Sequence, residues 1–221
     1  WYGHGLGWGP FVQETRAWFE AVDPDVVAFQ EIFWSGDCPG IPSEARVGFV
    51  CQDWADGDPT VAQVLVGEDY QVVCHPGLPD KCLAIHERFG RFDGCEGGFC
   101  LEGLAGSTVE GCGQGARVGR GLVRGGAGEG LVVVNVHGSS GLAAEDKDCR
   151  VAQVDQVFVD LGDGRPAASG ARNLVLGDFN TDPGRWTGTD PSAARWNDFV
   201  GEGRDFDFLS AVGPDATRSY A

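Results

Sequence analysis

Apolar and polar positions along the chain follow two periods. Phe11, Thr15, Trp18, Phe19 and Val22 fall at i, i+4, i+7, i+8 and i+11. That spacing predicts an amphipathic helix opening near Pro10, whose fixed φ suits a first turn, and ending at Asp23-Pro24. Trp1 to Gly9, ahead of it, is rich in glycine and aromatics and reads as a loop. Val151, Val154, Phe158 and Leu161 repeat the helical spacing and predict a second helix over 148–161, closed by Gly162-Asp163-Gly164. A short helix is expected around 193–200. Unbroken apolar runs bounded by turn formers predict buried strands. Three of these end on polar residues: 25–31 on Glu31, 131–136 on His137, and 173–176 on Gly177-Asp178-Phe179-Asn180. Further strands are expected at 60–66 and 70–73, joined by the turn Gly67-Glu68-Asp69, and at 82–86 and 206–209. Residues 117–123 and 131–136 read as a hairpin with a glycine-rich tip. Residues 35–60 are loop-like, and 90–115, dense in Gly and Cys, read as a stapled surface excursion. Strands interleaved with helices make an α/β protein. With no internal repeat and no long linker, residues 1–221 form one domain.

The length of 221 residues supports that reading, since a chain of this size buries about 70% of its unfolded surface. No apolar run is long enough to span a bilayer. Sixteen basic against 33 acidic residues give a formal charge of −17. That excess repels polyanions at long range and argues against a module built on a basic nucleic-acid-binding face. The eight cysteines show no C-x-x-C pair and no zinc-finger spacing to the four histidines, so disulfides in an oxidising compartment, extracellular or periplasmic, are expected. Their pairing stays open. The chain begins at Trp1 and holds no methionine, so it reads as a product whose start has been removed.

The candidate chemistry lies at the three strand ends. Beyond Leu176 an extended backbone would set Asp178 and Asn180 side by side and turn Phe179 into the core, because side chains alternate with period two. A carboxylate there can orient a water or hold a cation, and an amide can donate to an oxygen. Taken alone, the same residues are an ordinary strand followed by an Asp/Asn turn. Glu31 and His137 change the picture, since sites form where strand ends open into a crevice. Glu31 is a hard oxygen ligand of the kind Mg²⁺ takes. His137 can donate to a phosphate oxygen or protonate a leaving group. Gln30 reads as a hydrogen-bonding support for its neighbour.

Val27-Ala28-Phe29-Gln30-Glu31, Val134-Asn135-Val136-His137 and Leu176-Gly177-Asp178-Phe179-Asn180 resemble, in order, motifs of the endonuclease/exonuclease/phosphatase superfamily, which includes deoxyribonucleases and sphingomyelinases. Arg150-Val151-Ala152-Gln153 is similar to the opening of that family's helix after its histidine strand, and Thr217-Arg218-Ser219-Tyr220 to the loop before its last strands. The resemblance implies a four-layered α/β sandwich, two mixed β-sheets face to face with helices outside. It also implies metal-dependent hydrolysis of a phosphoester, nucleic acid or phospholipid, with Mg²⁺ or Mn²⁺ as cofactor. Glu31 would ligate the metal, Asp178 would orient or deprotonate water, Asn180 would bond the nucleophile or phosphate, and His137 would steady phosphate oxygens. No obligate protein partner is implied. The family's first-strand asparagine and its final histidine motif have no counterpart, and His4, His75 and His86 lack a suitable context for the latter. The chain is therefore expected to be a fragment of a longer enzyme, inactive or nearly so by itself. The alternative is a secreted binding module that keeps the fold without turnover.

Glu44, Asp53, Asp56 and Asp58 read as a solvated acidic face rather than a weak Ca²⁺ site. Trp186 and Trp196 read as packing under a loop rather than as a substrate rim. His86-Glu87-Arg88 reads as a surface strand end rather than a phosphate clamp. Phe92 and Phe99 are candidates for membrane contact if the substrate is a lipid.

Overall fold

Helix α1 (Trp8–Val22) opens the computed structural model, which describes residues 8–113 and 115–208. It starts two residues before Pro10, so Trp8 and Gly9 belong to the first turn and not to a loop. Its packed side is narrower than the spacing implies: Phe11, Val12 and Phe19 face the core, while Trp18 and Val22 stay exposed. Asp23, in left-handed backbone at φ 49°, ends it with an N–H bond to the Phe19 carbonyl. Strand β1 (Val26–Phe29) follows. The loop-like stretch after it coils into 3-10 turns at Ser35–Gly40, Ser43–Ala45 and Val50–Gln52, clipped by the Cys38–Cys51 disulfide.

The strand expected at 60–66 is instead a helix, α2 (Val61–Val66). Its run Val-Ala-Gln-Val-Leu-Val is apolar enough for either state, and periodicity alone does not separate them over six residues. Local chemistry does. The Thr60 hydroxyl accepts the Gln63 N–H at 3.3 Å, an N-cap, and the Gln63 amide closes the far end on the carbonyls of Gly67 and Tyr70. Val61, Ala62, Leu65 and Val66 then share the buried face.

Strands β2 (Tyr70–His75) and β3 (Leu78–His86) form a hairpin crosslinked by Cys74–Cys82. The region expected to be a surface excursion is woven into both sheets. It contributes β4 (Arg91–Phe92), β5 (Phe99–Cys100) and β6 (Ala105–Gly106), and it buries Phe92, Cys95 and Leu104. Cys95–Cys100 and Cys112–Cys149 pin it. The predicted hairpin is present as β7 (Val118–Arg124) and β8 (Leu131–His137). Helix α3 (Ala144–Phe158), strand β9 (Arg172–Asp178) and helix α4 (Pro191–Asn197) complete the order. Phe206 makes one bridge to Val200 rather than a strand. Leu209 and the stretch Thr217 to Tyr220 lie outside the described residues.

The sheets run β1-β3-β2-β5 and β4-β7-β8-β9, with β6 on β7; each contains one parallel pair, β2/β5 and β8/β9, among antiparallel ones. They pack face to face through Val73, Leu83, Ile85, Phe92, Leu104, Val123 and Val133. Outside the first sheet lie α1 and α2 over Val72, Cys74 and Ala84. Outside the second lies α3, over Val118, Val134 and Val136, with α4 packed on α3 through Trp196. This is the four-layered α/β sandwich. Strands β1 and β9 are sheet edges among the described residues, which leaves both half-buried rather than fully covered. Among the described residues no helix is long and apolar enough to cross a membrane. All eight cysteines are paired, the state an oxidising compartment sustains.

The inter-sheet layer carries the stability. Leu83→Ala, at a fully buried position, is expected to lose about 3 kcal/mol in urea unfolding with disulfides intact. Leu142→Ala, at a position 83% exposed, should stay within about 0.5 kcal/mol of the parent.

Candidate active site

Parallel pairing of β8 with β9 sets His137 directly beside Asp178 at the carboxyl ends of both strands. Across the sandwich β1 packs opposite β9, so its end brings Glu31 over the same spot, with Oε1 3.8 Å from His137 Nε2. Glu31 turns the chain there in left-handed backbone at φ 56°, and the next residue, buried Ile32, is anchored by its N–H on the Asp80 carbonyl at 2.9 Å. Beneath Glu31, Gln30 donates to Asn135 Oδ1 at 2.6 Å, and Asn135 Nδ2 donates to the Cys82 carbonyl at 3.3 Å. This amide chain joins β1, β8 and β3 below the mouth, and Gln30 bonds Asn135 rather than Glu31.

The turn after Asp178 departs from the extended geometry predicted for it. Asn180 adopts φ 49°, its N–H bonds Asp178 Oδ1 at 2.9 Å, and its Nδ2 donates to the Gly138 carbonyl at 2.9 Å. Asn180 therefore folds back to tie the two strand-end loops together instead of standing beside Asp178. Phe179 does turn inward, against Trp196. The close approach requires two glycines. A Cβ on Gly138 would fall 2.2 Å from the Phe179 carbonyl oxygen, and one on Gly177, at φ 137°, would fall 2.0 Å from that of Val136. Among the described residues, two of the four non-glycine residues with positive φ are Glu31 and Asn180, and such backbone outliers collect at functional sites.

The loop leaving His137 is held from α3 and α4. Ser139 exchanges hydrogen bonds with Gln153, while Arg150 Nη1 donates to the carbonyls of Ser139 and Gly141 at 2.7 and 2.9 Å. Arg150, 2% exposed, pairs with buried Asp190 at 2.6 Å. Burial pushes the Asp190 carboxyl up, but the bonds from Ser192 and Arg150 outweigh it and hold the group below the ordinary carboxylate range.

Burial also dominates the electrostatics of His137. Desolvation, aided by the Lys81 and Arg117 cations, lowers its pKa against the opposing pull of Asp178 and Glu31. The imidazole is neutral at pH 7, so its 3.8 Å approach to Glu31 is a polar contact and not an ion pair. Its Nδ1 is buried without a partner, which leaves Nε2 as the nitrogen facing the mouth. Asp178 is exposed, and the Glu31 side chain is 68% exposed.

No family model, characterised protein or solved structure matches the chain. The site therefore stands on its own geometry. That geometry brings together Glu31, His137, Asp178 and Asn180. No group of three or more His, Cys, Asp or Glu side chains converges on one point among the described residues. Two exposed carboxylates beside a neutral imidazole do not make the three- or four-ligand set that zinc takes. They do fit Mg²⁺ or Mn²⁺, which takes one or two carboxylates and keeps water in its other positions.

Three groups in the floor were not anticipated. Lys81 is 3% exposed and bonds both oxygens of Asp80 at 2.8 Å. Arg117 donates to the carbonyls of His137 and Gly138 at 3.3 Å. His75, at the end of β2, bonds the Ala116 carbonyl through Nδ1 at 3.1 Å and leaves Nε2 buried and unpaired. The available signal was a lysine flush against the apolar run Cys82-Leu83-Ala84-Ile85; nothing in the local sequence pointed to Arg117. Other candidates lie elsewhere. Arg88 is bonded to Asp23 and Asp25 at the opposite end of β3. Trp196 is buried under the loop, Trp186 is 44% exposed, and His4 is outside the described residues. Phe92 is buried and Phe99 stacks on Trp34, so neither is free to enter a membrane.

His75 gives the fold a pH signature. Burial, with Lys81 and His137 assisting against the Ala116 bond and Asp80, lowers its pKa from 6.5 to about 4. Between those values the unfolded chain binds a proton that the folded chain refuses, so stability falls as pH drops through the window. The loss from this group is about 3 kcal/mol, and His137 adds to it in the same direction. Asp190 acts only below the ordinary carboxylate range, where its stabilising bonds are lost. Urea midpoints measured from pH 7 to pH 4 should show a flatter profile for His75→Asn than for the parent, whatever the variant's absolute stability.

Proposed function

We propose that the protein is a divalent-metal-dependent hydrolase of phosphoester bonds, with water attacking phosphorus, as the resemblance to the endonuclease/exonuclease/phosphatase superfamily implies. One observation carries the reading: the ends of three strands from two sheets deliver a carboxylate, a neutral imidazole and a second carboxylate to one mouth, above a floor that holds Lys81 and Arg117. Bound at Glu31, Mg²⁺ or Mn²⁺ supplies charge neutralisation to the phosphoryl oxygens. Asp178, exposed and fixed by the Asn180 N–H, orients the attacking water and accepts its proton. His137, kept neutral, donates from Nε2 to a phosphate oxygen. Asn180 fixes the distance between the Asp178 turn and the Gly138 loop. The formal charge of −17 favours a small phosphodiester or a phospholipid head group over a long nucleic acid at low ionic strength. The four disulfides support a site of action outside the cell or in the periplasm.

The test is hydrolysis of bis-p-nitrophenyl phosphate by the full-length gene product with Mg²⁺, with Mn²⁺ and with EDTA. Turnover should require metal and fall about 10²-fold or more in Asp178→Ala. Glu31→Gln should raise the metal concentration needed for half-maximal rate about tenfold. An undiminished rate in Asp178→Ala removes the proposed mechanism. Absence of turnover with either metal leaves a binding module of the same fold.

A further inference from the structure

Away from that mouth, an open cavity of about 530 Å³ lies between the 54–60 loop, the start of α2 and the edge strand β5. Its volume falls in the range of small-molecule sites. Tyr70, on its wall, pairs with His86 and stands five residues along β2 from His75, about 17 Å at ordinary strand rise. The cavity is therefore separate from the proposed hydrolytic site.

Its lining has two components. Trp34, Trp54, Tyr70 and Phe99 supply aromatic surface, with Trp34 and Phe99 stacked at 5.8 Å and 18° between planes. Asp56, Asp58 and Glu68 supply carboxylates, and among the described residues no Lys, Arg or His lines the space. Asp58 accepts the Ala55 N–H at 2.8 Å. Asp56 and Glu68 have neither hydrogen bond nor ion pair among the described residues. Two wall residues also keep buried polar atoms unpaired. Gln63 spends its Nε2 on the carbonyls of Gly67 and Tyr70, which fixes the amide's orientation and leaves Oε1 without a donor; Trp54 Nε1 lacks an acceptor.

We propose that this cavity binds a small organic ammonium ion. The occupant is cationic because the charged groups among the described lining residues are all carboxylates. It is organic because the wall is rich in aromatic side chains, and aromatic rings attract a weakly hydrated cation. A bare metal ion is disfavoured, since Asp56, Asp58 and Glu68 do not converge as a metal-binding group. The ring faces hold the alkyl groups, and Asp56 and Glu68 balance the charge from the rim.

The probe is tetramethylammonium chloride titrated into the full chain, followed by the indole N–H resonances of its seven tryptophans. Neutral tert-butanol, of similar size, and sodium chloride are the controls. Saturable shifts at Trp34 and Trp54, with Trp196 unmoved, are expected for tetramethylammonium alone. The double variant Asp56→Asn, Glu68→Gln should weaken binding at least tenfold; both side chains are exposed, so the core is untouched. An equal response to tert-butanol makes the cavity a neutral apolar site and overturns the proposal. So does the absence of a saturable shift, or unchanged affinity in the double variant. None of these outcomes bears on hydrolysis, which reads Asp178 instead.

Discussion

A single buried amide sets the relation between the two sheets. Asn135 lies in β8 with no exposed surface and reaches across to β1 and β3 at once, accepting from Gln30 and donating to the Cys82 carbonyl. Leaving such an amide unpaired in an apolar interior costs about 2 kcal/mol or more, whereas the Val and Leu contacts around it are nearly indifferent to a small slide of one sheet over the other. The apolar layer therefore supplies the adhesion and Asn135 supplies the register. Because a one-residue slip would also turn every side chain of a strand to its other face, the bond fixes where the strands end relative to each other. Glu31 follows Gln30 directly, and His137 is two residues from Asn135. The 3.8 Å approach of those two side chains is a consequence of the amide beneath them.

The same arrangement reconciles an acidic protein with the anionic substrate proposed for it. The net charge of −17 resides largely on exposed carboxylates, where solvent and salt screen it. Lys81 is buried, Arg117 is half-buried, and the two imidazoles His75 and His137 lie in the floor beside them. Interactions in that low-dielectric floor are screened far less than those at the surface. A phosphate in the mouth would therefore sense the floor at short range even though the exterior repels it from afar.

How much of this was legible varied with how far each feature depends on local chemistry. The three strands ending on Glu31, His137 and Asp178 could be read because each is an apolar run too continuous for a surface strand, closed by residues that cannot continue inward. Helix α2 could not, since its six residues carry no period and the deciding bonds come from Thr60 and the Gln63 side chain. The 90–115 region hid its three two-residue strands beneath a glycine density that signals loops. The orientation of Asn180 could not be read either, because alternation holds only while the backbone stays extended, and here it turns left-handed. Arg117 and His75 join the floor through tertiary contacts alone, with the Gly138 and Ala116 carbonyls, and no spacing rule connects them to it.

The division of roles in the proposed reaction follows from the environment of the two titratable groups rather than from their identities. His137 is buried beside two cations and is held neutral, so at pH 7 it has no proton to lose beyond the one on its ring, and its task reduces to donating a hydrogen bond. Asp178, the register partner of His137 across the parallel strands, is exposed to the water that the proposed reaction activates, so it is the group placed to accept a proton from it. Exchanging the two burials would exchange the roles: a buried Asp178 would hold its proton, and an exposed imidazole would titrate near neutrality. The strand register that pairs the residues, together with the edge position of β9 that leaves one of them in solvent, therefore sets the division of roles in the proposed reaction.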